Sequence, residues 1–253
     1  MMGILSGQLS PLGVSLANRY KPGGVDGLVL ALDASVLTGA SGVAVTTVAD
    51  RSRVGEAAYQ VAAGNAPTLT PGGMNGLPTL RFNGADQWLN VDSIYARLAE
   101  GGAAVGAEIF LVAKKTAPIP TDGIPTGLWR FNNATQNSHL IWVDGHIYDS
   151  FVSGERPAVA APTQAALFAG FLYGFAVGEG QTQVFFNNVQ TYSGAGTVVG
   201  EGLFTQPATI GTSNMSSFFY QGDIGEILIY NRRLTPAERN AVASFLAAKW
   251  GLP

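Results

Sequence analysis

Short apolar runs alternate with turn formers from position 28 onward. Leu28-Val29-Leu30-Ala31-Leu32-Asp33-Ala34-Ser35 predicts an apolar strand ending at a turn. Thr79-Leu80-Arg81-Phe82 predicts another, closed by the turn dipeptide Asn83-Gly84, and Trp88-Leu89-Asn90-Val91 resumes a strand. Residues Ser93 to Leu98 suit a helical turn. Glu108 to Ala113 (EIFLVA) is a continuous apolar run of the kind found in a central strand. Two hairpins stand out. His139–Val143 and His146–Ser150 flank Asp144-Gly145, which predicts a type I′ turn because both central residues need φ > 0. Thr182–Phe186 and Val189–Tyr192 flank Asn187-Asn188, which tolerate the same backbone.

The chain closes on a well-signalled helix. Thr235 caps it, Pro236 takes the first helical position, and Glu238 completes a capping box. Val242, Phe245, Leu246 and Trp250 fall on one face, which would cover a sheet edge or end, and Gly251 marks the stop. Residues 1–24 read as an extended attachment arm ending in the Lys21-Pro22-Gly23-Gly24 hinge. The domain then runs over residues 25–253.

Composition supports a strand-rich domain. Hydrophobic residues make up 47% and charged residues 12%, and the 33 glycines and 13 prolines are spread along the chain. Net charge is −3, without the basic stripe that nucleic acid requires. The absence of cysteine excludes disulfides and thiolate metal sites. The first residues carry neither a basic segment nor an apolar core of a signal peptide, and no run approaches a membrane span. Synthesis in a host cytoplasm without a signal peptide is expected.

Several segments resemble laminin-G-like modules of the concanavalin-A-like lectin/glucanase superfamily, of the type found in bacteriophage virion and tail proteins. ALDAS (31–35) is similar to an opening strand. LRFNGADQWLNV (80–91) resembles the family's L-x-F-[DN]-G turn. VFFNNVQ (184–190) resembles its Y-x-N-G hairpin, with Asn188 in place of Gly. ATIGTSNMSSFFYQGDIGEILIYNRRLTPAER (208–239) is the best match. In DRSRVGEAAYQVAAGNAPTL (50–69), Arg53-Val54-Gly55 departs from the usual Gly-rich core. The resemblance implies an all-β, antiparallel jelly-roll β-sandwich with a short C-terminal α-helix. It also implies a virion setting in a tail, a fibre or the capsid surface. The partners expected are other virion proteins through the arm, a host surface glycan, and further copies of the chain as a homo-oligomer.

Candidate chemistry is sparse. Glycoside cleavage needs two carboxylates facing one space. Asp223 and Glu226 are three apart on a predicted strand and so point to opposite faces. No G-x-S-x-G elbow accompanies the two histidines, so the chain reads as non-enzymatic. No cofactor is expected. The resemblance leaves calcium open, since many laminin-G-like domains hold one, but Asp33, Asp50, Asp86 and Asp92 lie near turns without forming a dense acidic loop. In a two-residue hairpin His139, His146 and Tyr148 share the outward face, while Leu140, Trp142 and Ile147 face the core. With Trp129 and Asn132 just upstream, they form a candidate ligand-binding rim of aromatic and polar groups. The alternative is that Trp129 and Tyr148 are half-buried sandwich residues. In Ser216-Ser217-Phe218-Phe219-Tyr220 the aromatics cannot all face one core, so either both faces are covered or one is an interface. Three roles follow: a glycan- or protein-binding virion domain, a decoration or cement subunit, and a glycoside-active enzyme.

Overall fold

The computed structural model describes residues 20–52, 54–92, 94–99, 104–118, 126–131, 138–200, 208–215 and 217–253. Residues 1–19, most of the predicted arm, lie outside this set. β1 (Leu28–Asp33) opens the domain, and its last side chain turns the chain by accepting from the Ser35 amide at 3.0 Å. Short strands β2 (Thr47–Val48) and β3 (Ala58–Tyr59) precede a hairpin of β4 (Thr68–Met74) and β5 (Leu77–Asn83). β6 (Leu89–Val91), α1 (Ile94–Ala99) and β7 (Gly106–Lys115) follow. Next come β8 (Thr126–Gly127), β9 (Trp129–Arg130), β10 (His139–Ile141), β11 (His146–Tyr148) and β12 (Ala158–Ala160). α2 (Gln164–Ala169) leads into β13 (Phe171–Gly178), β14 (Gln181–Phe186) and β15 (Val189–Ala195). β16 (Ala208–Ile210), β17 (Gln221–Tyr230) and α3 (Pro236–Trp250) end the chain.

The protein is an antiparallel β-sandwich with a C-terminal helix. One sheet has eight strands in the order β15-β14-β13-β7-β17-β5-β4, with β1 also on β17. β17 takes two partners along one edge, β5 over Gln221–Ile224 and β1 over Glu226–Tyr230. The facing layer joins a five-stranded sheet (β2-β3-β6-β16-β9) to a four-stranded one (β12-β11-β10-β8). The join is the segment 126–130. At its centre the Leu128 amide donates to the Ser138 carbonyl, and the Leu128 carbonyl accepts from Gly211.

Alternation along the central strands fills two cores. Ile109 and Leu111 of β7, with Tyr173 and Phe175 of β13, meet Trp129, Leu140 and Ile147 of the second layer. Phe110, Val112 and Leu228 point the other way and meet Val242, Leu246 and Trp250 of α3. This double burial is why EIFLVA reads as an unbroken apolar run. The helix therefore lies across the outer face of the large sheet, not over an edge or end. Gly225 makes the close approach feasible, since a Cβ there would stand 2.9 Å from the Trp250 ring. Residues 20–24 pack on the same helix: Pro22 is buried, and the Tyr20 and Phe245 rings meet edge to face at 6.1 Å.

The helix start follows its sequence signals. Thr235 Oγ1 accepts from the Glu238 amide and Glu238 Oε2 accepts from the Thr235 amide, the two halves of a capping box. The Arg232 guanidinium, bonded to both Glu238 oxygens at 2.6 and 2.9 Å, and the Thr235 amide lower this carboxyl from 4.5 to about 2. A depressed carboxyl contributes stability that is present above its unfolded value and is lost as pH falls through its folded value. Glu238→Gln is thus expected to flatten the acid limb of thermal stability between about pH 4.5 and 2. An unchanged limb would show that the cap carries no charge-dependent stability.

Candidate functional site

The 139–148 hairpin departs from its predicted geometry, and the departure builds the site. The Gly145 amide donates to the Trp142 carbonyl at 3.0 Å, so Val143 and Asp144 are the central turn residues. Gly145 follows with φ 81°. The Trp142 amide then donates to the His146 carbonyl at 2.7 Å, one residue out of the two-residue register. Val143-Asp144-Gly145 therefore forms a three-residue loop with a glycine bulge, in place of a type I′ turn at Asp144-Gly145. A one-residue slip changes which side chains are neighbours. His139 pairs with Tyr148 across the ladder, a further residue out of register, so the strand carries a second irregularity between His139 and Trp142.

The result is an aromatic cluster at the surface. Trp142, assigned to the core by the two-residue register, is half-buried in its centre. Its ring meets His139 at 4.6 Å, Tyr148 at 6.1 Å and Phe218 at 6.2 Å, all edge to face. Phe218, from the aromatic triplet, also meets His139 at 5.1 Å. Phe219 turns to Trp88 at 6.3 Å and Tyr220 is fully buried, so both faces of that segment are used. The Tyr148 hydroxyl donates to Asp144 Oδ2 at 2.7 Å, and Asp144 Oδ1 accepts from the His146 amide at 3.0 Å. The Arg156 guanidinium sits 4.9 Å from the Tyr148 ring centroid, within cation–π range.

The five residues expected at the rim separate. Tyr148 and His146 are half-buried and part of the cluster. His139 is only 3% exposed, and burial with the nearby Arg156 charge pushes it down to about 4, so it is neutral at pH 7. Trp129 is not on a rim: it is fully buried, its ring between Phe131 and Tyr173 and its Nε1 donating to Asp149 at 3.0 Å. The strand 126–130 joins the two halves of the second layer, which draws Trp129 inward. Asn132 lies outside the described residues. Sequence reasoning missed Trp142 and Arg156 as site members. The Asp-Gly dipeptide marked the place, but nothing local marked Arg156.

β17 carries a bulge at Gly225, where Ile224 pairs with Ala113 but Glu226 with Val112. The extra residue puts Asp223 and Glu226 on the same outer face, contrary to simple alternation. Each is bound by cations. Arg81 and Lys114 hold Asp223, and Lys249 holds Glu226 at 2.7 Å with Trp250 Nε1 donating at 2.8 Å. Asp33, Asp50, Asp86 and Asp92 likewise have protein partners. Among the described residues no group of three or more His, Asp or Glu is placed to hold a metal.

Geometry of this kind can be set beside known folds. No family model and no curated protein matches the chain. Solved structures do. Trypanosoma rangeli sialidase with the inhibitor DANA matches at a TM-score of 0.57 and 14% identity, over 90% of this chain and 34% of that one. The binding domain of botulinum neurotoxin DC with rat synaptotagmin II matches at 0.52 and 8%, over 87% of this chain and 52% of that one. The chain thus spans about a third of the sialidase and half of the toxin domain. At these identities the likeness is one of fold. It overturns one expectation, because sialidases are enzymes and the fold therefore gives no ground for calling the chain non-enzymatic.

Proposed function

We propose that the chain is a carbohydrate- or protein-binding module that uses the Trp142–Tyr148–Phe218 surface. The observation that carries this reading is the Tyr148 ring, half-exposed, tied at its hydroxyl by Asp144 and flanked by Arg156. A fixed aromatic ring stacks on the apolar face of a sugar or an apolar side chain at little entropic cost. Tyr, Trp and Arg are also the residues that dominate protein interfaces. Solved neighbours support both ligand classes: one sialidase structure holds sialic acid, and the toxin binding domain holds a protein. The finer setting, a laminin-G-like module on a phage tail, fibre or capsid surface, rests on the motifs at 80–91 and 208–239. There the arm would hold neighbouring virion proteins, copies of the chain would associate, and the aromatic surface would meet a host glycan. A structural decoration role uses the same surface on a neighbouring subunit. The sialidase likeness favours a second reading, part of a glycoside-cleaving protein, which release of reducing ends from a bound glycan would test.

Titration of the protein with host-type surface polysaccharide and with particles lacking it tests the main reading. Tyr148→Ala and Trp142→Ala are each expected to weaken binding at least about tenfold, or 1.4 kcal/mol, with the fold retained by circular dichroism. Variants that bind like the parent would move the site elsewhere.

A further inference from the structure

The two layers part at one end of the sandwich. There β12, the edge of the four-stranded sheet, faces β14 and β15, at the edge of the eight-stranded one. Between them lies a cavity of about 200 Å³, walled by Ile147, Val159 and Pro162 on one side and Tyr173, Val184 and Phe186 on the other. Protein interiors pack to crystal density and seldom leave a void this large. Its side-chain hydroxyls are already engaged. The Tyr173 hydroxyl donates to Asp149 at 2.9 Å, and Thr191 Oγ1 donates to the Val184 carbonyl at 3.2 Å. Water there would find few partners, and a water needs two to four. The cavity also has a mouth: Pro162 and Phe186 are half-buried, and Ala160 and Thr191, at its margin, are exposed.

We propose that this cavity binds a small uncharged apolar group, a single aromatic ring or the end of an alkyl chain. An apolar cavity of about 150 Å³ in another protein stays dry and takes up benzene, so this volume suffices. No charge lines the walls to receive an ionic group. The site is separate from the aromatic surface, because Ile147 points inward from β11 while its neighbours His146 and Tyr148 remain partly exposed.

Calorimetric titration with propylbenzene, and separately with dihexanoylphosphatidylcholine below its micelle concentration, tests this on the full chain. Saturable binding of propylbenzene with a rise in Tm is expected, and Val184→Phe, which fills the cavity, is expected to weaken it at least tenfold. Binding of both probes identifies a lipid tail as the source, and binding of propylbenzene alone identifies a free small molecule. If Val184→Phe does not fold, Thr191→Phe at the exposed margin gives the same reading. Absence of saturable binding by the parent protein, or unweakened binding by the folded filling variant, overturns the proposal.

Discussion

Asp149→Ala is expected to destabilise the protein by about 4 kcal/mol or more, measured as a shift in urea midpoint at constant slope. The carboxylate is buried at the junction of the two layers and accepts from four donors. These are Trp129 Nε1 at 3.0 Å, the Tyr173 hydroxyl at 2.9 Å, the Phe151 amide at 2.7 Å and the Ser138 hydroxyl. Each donor left buried without an acceptor costs about 1–3 kcal/mol, and four at the low end already reach this figure. Burial pushes the Asp149 carboxyl up, against the pull of its donors. Asp149→Asn keeps one carbonyl acceptor but adds two donors, so it should recover only part of the loss. Tyr173→Phe removes one donor cleanly and should cost about 1 kcal/mol. A loss under about 1 kcal/mol for Asp149→Ala would mean that the donors find other partners. The node also holds the chain immediately after Tyr148. Binding lost in Asp149→Ala would therefore report unfolding, whereas loss in Tyr148→Ala would report contact.

Local signals in the sequence were enough for the elements they govern. Asn187 and Asn188 adopt φ of 46° and 63° and close β14 on β15 in the predicted register for two pairs, before a bulge at Thr191 shifts the rest of the ladder. Thr235, Pro236 and Glu238 start α3 as capping chemistry requires. The apolar run 108–113 is a central strand because its neighbours cover both faces. What was illegible depends on partners distant in the chain. The bulge at Gly225 lies under the ring of Trp250, a partner distant in the chain, and periodicity alone cannot announce it. The two-residue register sets Trp142 in the core, whereas it lies at the surface, and the Asp-Gly dipeptide that suggests that register fits both turn types. Trp129 reads as a rim residue until the strand it occupies is seen to join two sheets. The site was thus legible as a place, the tip and arms of one hairpin, but not as a set of side chains. Arg156 enters it from the segment before β12, with no spacing relation to Tyr148 that marks the contact.

Glu108 is the sharpest case of a long-range partner, and Arg239→Met is expected to cost about 3–5 kcal/mol. The glutamate interrupts an apolar strand and is 1% exposed. Arg239 of α3 meets it with two bonds, Nε to Oε1 at 2.6 Å and Nη2 to Oε2 at 2.9 Å, while the Leu234 amide donates at 2.9 Å. The pair pins the helix to the sheet. Removing the arginine leaves a buried carboxylate with the Leu234 amide as its remaining bond. Removing both charges is different: replacing a buried pair by apolar groups is often neutral or stabilising. Glu108→Leu with Arg239→Met should therefore recover most of the stability lost by Arg239→Met alone. The single variant should also depend on pH. Burial already raises the Glu108 carboxyl above its ordinary 4.5 despite Arg239, and loss of the cation raises it further. For a raised carboxyl, stability is fully present below the unfolded value and is lost as pH rises through the folded one. Arg239→Met should thus lie nearest the parent in acid and fall away above about pH 4.5, whereas the double variant, which has no carboxyl at this position, should lack that dependence. Arg239→Lys retains a charge but neither the fork nor the guanidinium 4.3 Å from the Phe185 ring, and should fall between. A double variant as unstable as the single one would show that the lost packing of Arg239, not the stranded charge, sets the cost.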